Sequence, residues 1–186
     1  MPDPRLSDRR RVAALREMGL LTDTPEEAYD RFTRLAATIV DAPIALFTVV
    51  TEDEQFFRSQ VGLPEPVATE RRTPLSHSFC QYVILSSAPL EVTDARTHPL
   101  VQGNPAIEEL NAIAYLGVPL ITRRGETLGS LCAIDREPRE WTDRDRGVLR
   151  DLAAATVTEV ELRRTTREPV ELAEKLEAAL RGKERA

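Results

Sequence analysis

Only two cysteines, two histidines and two lysines occur in the 186 residues, and each scarcity closes off a class of function. Two cysteines are too few for a disulfide framework. Cys80, Cys132, His77 and His98 show none of the spacings of a zinc or haem site, so no metal is expected and no cofactor can be named. No apolar run approaches the ~20 residues of a membrane helix, and residues 1–8 have no apolar segment behind a basic end. Neither a span nor a secretory signal is expected, and with two thiols the expected location is the cytoplasm. The net charge of -6 and pI near 5.1 speak against a nucleic-acid surface, and the basic run at residues 9–11 reads as a solvated helix face. There is no phosphate-cradling glycine loop and no Gly-x-Ser-x-Gly elbow, while Asp94, Asp135 and Glu108 have simpler roles at strand ends and on a helix surface. The chain is therefore expected not to be an enzyme.

Two runs of strand formers flanking the turn at residues 123–126 organise the rest of the chain as a β-hairpin. Alternation puts Leu128, Ser130, Cys132 and Ile134 on one face of its second strand and Thr127, Gly129, Leu131, Ala133 and Asp135 on the other. Both faces are apolar or small, so both are expected to be covered. Residues 44–50 form an apolar run too short for a typical helix and read as a central strand. Residues 55–61 pair with it, with Phe57, Ser59 and Val61 on one face and Phe56, Arg58 and Gln60 on the other. A lead-in helix starts after Ser7 and carries Val12, Leu15 and Met18 inward. Thr24 caps a second helix, with Pro25 at its first position and Ala28, Phe32, Leu35, Ala36 and Ile39 as its buried face. Ser78 and Gln81 open a short helix, residues 89–94 are a brief strand, and Asn104 and Pro105 start another short helix. Thr142 caps a long helix with an inner stripe of Leu149, Leu152, Ala153, Thr156 and Val160 and a flanking one of Val148, Ala155 and Leu162. Pro169 is expected to interrupt it before a last segment with Leu172, Leu176 and Leu180.

This order resembles a GAF sensory domain, and the residues themselves carry the resemblance: FFRSQVGL at 56–63, TPLSHSFCQYV at 73–83, VTDAR at 92–96, HPLV at 98–101, NPAI at 104–107, AYLGVPL at 114–120 and LGSLCAID at 128–135. The blocks are similar to bacterial GAF domains found ahead of histidine kinases, diguanylate cyclases and serine phosphatases. The resemblance implies an α+β fold, with terminal helices on one face of a central antiparallel sheet and a ligand pocket on the other. It divides the chain into a lead-in helix (1–22), the GAF domain with its long helix (23–164) and a helical tail (165–186). It also implies a pocket for an unidentified small molecule, walled by Phe57, Ser59, Phe79, Cys80, Asp94, Asn104, Tyr115 and Cys132. The helix at 142–164 would pack in a homodimer and signal to its mate or to a kinase, phosphatase or cyclase partner. The lysine signature of cyclic-nucleotide binders is not evident, since lysine occurs only at Lys175 and Lys183. The cysteine contexts of the bilin-binding and methionine-sulfoxide-reducing branches are not matched either.

Two alternatives to the small-molecule sensor follow from single residues. Cys80 opens a helix three residues after His77, where a helix dipole favours the thiolate, so a thiol-based redox sensor or enzyme is one. Cys132 would join it only if the fold brings the two together. A protein-interaction adaptor whose pocket is plugged by Phe79 and Tyr115 is the other.

Overall fold

A six-stranded antiparallel sheet separates two cores in the computed structural model, which describes residues 3–22 and 24–183, with side chains to Thr166. Its strands are β1 (Ile44–Val50), β2 (Glu54–Val61), β3 (Arg72–Pro74), β4 (Leu90–Val92), β5 (Ala114–Ile121) and β6 (Thr127–Asp135), in the order β3-β2-β1-β6-β5-β4. All seven residues of β1 are buried, as a central strand covered on both faces requires. The hairpin β5–β6 turns through Gly125, whose φ of 87° lies in the left-handed region glycine favours.

One face carries α1 (Arg9–Glu17), α2 (Glu27–Val40) and α6 (Asp143–Lys183). Leu15, Tyr29, Phe47, Leu116, Leu131, Leu149 and Val160 belong to this core. α2 and α6 lie antiparallel, since Arg139, just ahead of α6, donates to the Val40 carbonyl while Arg163 pairs with Glu26 at 2.5 Å. The opposite face is built by α4 (Cys80–Ser86), α5 (Ala106–Glu109) and the loops around them, with Phe57, Phe79, Val83, Val92, Tyr115 and Cys132 in its core. A single turn, α3 (Val67–Glu70), precedes β3 at the sheet edge. The expected α+β arrangement is thus present. Among the described residues no helix is long and apolar enough to cross a membrane.

Several local expectations are corrected. α1 is capped by Asp8, whose carboxylate accepts from the Arg10 and Arg11 amides, because Ser7 is the last residue of a preceding 3-10 turn. α2 starts at Glu27 without a Thr24 cap, since the backbone at Thr22 and Thr24 is held instead by the buried Arg58 guanidinium. The buried face of α2 is Tyr29, Thr33, Ala36 and Val40, and Leu35 and Ile39 point outward. Residues 72–74 form the short edge strand β3, which no alternation in so short a segment announced. Pro169 does not end the last helix, which runs on to Lys183. A proline costs ~3 kcal/mol inside a helix, but the following run of Glu, Leu, Ala and Lys consists of strong helix formers. The side chains of Leu172, Leu176 and Leu180 lie outside the described residues. The start of α6 is as expected: Thr142 Oγ1 accepts from the Asp145 amide and the Asp145 carboxylate accepts from the Thr142 amide, a reciprocal cap.

Candidate functional site

The site lies against the sheet face that α4 covers, and two irregular strand positions decide what reaches it. Thr48 of β1 faces Phe57, but the neighbouring Phe47 faces Ser59, so Arg58 is an extra residue in β2. Such a bulge turns the strand over locally. Gln55 and Phe57 point to the α4 side, whereas Ser59 points to α2, where its hydroxyl donates to Asp30 at 2.6 Å. In β6, Leu120 pairs with Gly129 and Ile121 with Thr127, which makes Leu128 the extra residue and sends it to the α2–α6 core. Beyond the bulge, Ser130, Cys132 and Ile134 keep their expected shared face.

The cavity that results has a free volume of about 20 Å³, room for about one water molecule. Its wall is mainly apolar, from Ile44, Leu46, Phe57, Leu63, Phe79, Ala106, Leu110 and Ile134, with Gln55, His77, Cys80 and Tyr115 as its polar or ionisable members. Phe79 and Tyr115 meet edge to face at 5.6 Å and occupy much of the space a ligand would need. The Tyr115 ring lies across Gly117, where a Cβ would come within 2.1 Å of its hydroxyl, so only glycine lets the ring lie there. His77 is tied down by Ser76 and by Glu109 of α5, each at 3.0 Å.

Behind Phe79 the two cysteines meet. Both are free and buried, and their sulfurs are 4.0 Å apart, although 52 residues separate them in the chain. The Tyr115 hydroxyl donates to Cys80 Sγ at 3.3 Å and lies 3.4 Å from Ser130 Oγ. The Thr48 hydroxyl is also buried, with no hydrogen-bond partner. These groups hold the Cys80 thiol down from an ordinary 9.0 to about 7: the Cys132 thiol does most, with the Tyr115, Thr48 and Ser130 hydroxyls adding to it against burial. Burial pushes both the Cys132 thiol and the Tyr115 hydroxyl upward.

Of the eight residues named from sequence, Phe57, Phe79, Cys80 and Tyr115 line the cavity and Cys132 stands behind it. Ser59 is on the other side of the sheet for the reason given. Asp94 forms a loop clamp with Arg96, at 2.6 and 2.9 Å, and that pairing holds its carboxyl below the usual range. Asn104 accepts from the amide of Ala106, the first residue of α5, at 2.9 Å. Gln55 and His77 were missed. Gln55 had a signal, since it stands two residues before Phe57 on the same strand face.

A family model described as GAF domain matches residues 24–160. A protein of Pseudomonas aeruginosa named cyclic di-GMP phosphodiesterase PA2567 is 36% identical over 163 residues, which cover 84% of this chain and 26% of that protein. The chain thus spans about a quarter of that relative's length. Among solved structures, the GAF domain of a phosphoenolpyruvate-protein phosphotransferase from Coxiella burnetii superposes with a TM-score of 0.65 at 19% identity, covering 85% of this chain and 96% of that one. A domain of a two-component sensor histidine kinase protein from Sinorhizobium meliloti gives 0.60 at 17% identity, covering 83% and 99%. At those identities the two structures speak for the fold alone. The relative from Pseudomonas corrects one expectation: it bears the name of an enzyme, so the absence of catalytic motifs from this chain does not set it apart from enzymes.

Proposed function

The chain belongs to the GAF domain family, and from that premise we propose that it is a sensory module that responds at the buried site beside Phe79 and relays the response through α6. One observation carries the reading: the strands that wall the site also floor the helical layer. On β6, Cys132 faces the site while its neighbours Leu131 and Ala133 pack in the core beneath α2 and α6. A shift of the sheet at one face is therefore felt at the other, because close-packed cores transmit displacement. The ligand is a small, largely apolar molecule with one or two polar groups for Gln55, His77 or Tyr115, and Phe79 must move to admit anything larger than a water. The output is a second copy of the chain, met through α2 and α6, or an effector of the kind named in the Pseudomonas relative, which would place this domain beside cyclic di-GMP hydrolysis. A cytoplasmic setting belongs to the same proposal.

Native mass spectrometry of freshly purified protein, followed by release of bound material under denaturing conditions, tests the ligand. A reproducible non-covalent adduct that disappears in a Tyr115→Trp variant, which overfills the site, is the expected result. A clean mass for the parent, unchanged after incubation with cell metabolite extracts, would overturn the small-molecule part and favour a site closed by Phe79 and Tyr115.

A further inference from the structure

We propose that Cys80 and Cys132 form a reversible two-electron redox site, in which hydrogen peroxide converts the facing thiols into an intramolecular disulfide that staples α4 to β6. The inference goes beyond the sensory reading and does not depend on it. Two buried cysteines are most simply small apolar packing residues. Three features distinguish this pair. The sulfurs already face each other at 4.0 Å, with no residue between them, so bond formation requires closure to about 2.05 Å, a movement of about 2 Å. Cys80 is the first residue of α4, a seven-residue helix that stands free of the sheet's hydrogen bonding, so it can make that movement while Cys132 stays fixed in β6. The surroundings are also polar where packing alone would leave them apolar: the Tyr115 hydroxyl donates to the Cys80 sulfur and lies beside the Ser130 hydroxyl, and the buried Thr48 hydroxyl has no hydrogen-bond partner.

The chemistry assigns different roles to the two sulfurs. Cys80 borders the cavity of about 20 Å³, which suits an oxidant little larger than water, and its thiolate is stabilised by the donors around it. It attacks one peroxide oxygen. An S–O bond forms, the O–O bond breaks, and the departing oxygen takes up a proton to leave as water. Cys80 is then a sulfenic acid. Cys132, kept protonated by burial until this point, loses its proton as its sulfur attacks the Cys80 sulfur. An S–S bond forms, the S–O bond breaks, and a second water leaves. In sum, two thiols and one hydrogen peroxide give one disulfide and two waters, with the sulfurs oxidised by two electrons and the peroxide reduced by two. A dithiol reverses the step by exchange.

Phe79, beside Cys80 and edge-on to Tyr115, must follow the sulfur toward the sheet, so oxidation alters the cavity as well as the crosslink. The test begins with the reduced parent treated with stoichiometric hydrogen peroxide, denatured in excess alkylating reagent and weighed. The expected product is a monomer lighter by about 2 Da that takes no alkyl groups, and dithiothreitol restores two alkylatable thiols. In Cys132→Ser, peroxide should leave Cys80 as a sulfenic acid trapped by dimedone, and Cys80→Ser should consume peroxide about tenfold more slowly than the parent. The parent result needs no variant to fold. Two thiols that stay alkylatable, oxidation to sulfinic acid without a crosslink, or disulfide only between chains would each overturn the proposal.

Discussion

At the scale of single residues, the chemistry of the site follows from how Cys80 is surrounded. The titratable groups around it are the Cys132 thiol from β6, the Tyr115 hydroxyl from β5 and, across the cavity, His77 with its partner Glu109 from α5. Because the donors to Cys80 favour its charged form, its value falls to about 7. The rate of peroxide-driven disulfide formation should therefore climb about tenfold per pH unit below that value and level off above it. Tyr115→Phe removes a donor and should move the midpoint upward, and a parent midpoint near the ordinary 9.0 would contradict this account. The sign for stability follows by linkage. In the reduced protein Cys80 is deprotonated above about 7 when folded, whereas the unfolded chain holds the proton to about 9, so stability rises across that window and is lost as the pH falls through the lower value. The sequence revealed the residue types of this site but not their meeting. Helix start and thiol were legible at Cys80, and strand and thiol at Cys132, yet nothing local links positions 52 residues apart. Their contact is made by the packing of α4 on the sheet.

At the scale of elements, periodicity identified the longer helices and strands, and within the strands it failed where one residue was added. Alternation places Ser59 with Phe57 and Leu128 with Cys132, but the extra residues in β2 and β6 send Ser59 and Leu128 to the helical side. Bulges of this kind leave no composition signal when the residue in excess is an arginine or a leucine rather than a glycine. The Arg58 bulge also explains why the capping pattern at Thr24 went unused. Arg58 is 2% exposed, donates to the carbonyls of Thr22 and Thr24, and lies over the rings of Tyr29 and Phe56 at 5.6 and 5.8 Å. It ties the segment between α1 and α2 to the sheet in place of a helix cap. Arg58→Ala removes charge-assisted bonds from a buried setting and should destabilise the protein by about 2–4 kcal/mol. Urea unfolding should show a lower midpoint with the slope unchanged, and Arg58→Lys should recover only part of the loss, since an ammonium cannot span both carbonyls in one plane. A cost below about 0.5 kcal/mol would mean that the segment is held by other contacts.

At the scale of the whole molecule, the layered plan was legible because β1 is apolar at every position but Thr48 and α6 carries a clear inner stripe, and these two facts require a sheet covered on both sides. The outer face of the helical layer was not, since the pattern on α2 placed Leu35 and Ile39 inward. The pair is in fact 39% and 37% exposed, and Leu162 of α6 is 56% exposed. Apolar side chains four residues apart on one helix form a short exposed strip that gains by being covered. A second copy of the chain suits it, because the same helices then meet about a twofold axis and each copy buries the same stripe. The double substitution Leu35→Glu and Ile39→Glu separates this use from a structural one. Both side chains face solvent in the single chain, so its thermal unfolding should change by no more than about 0.5 kcal/mol for each site. In a dimer closed through α2 and α6, the four carboxylates would be buried against one another, a cost no surface salt effect offsets. Light scattering at micromolar concentration should then give twice the chain mass for the parent and the single chain mass for the variant. A parent that is already a monomer, or a variant that stays paired, would leave α6 to act on a different partner, and the stripe on α2 would be that partner's footing rather than the chain's own.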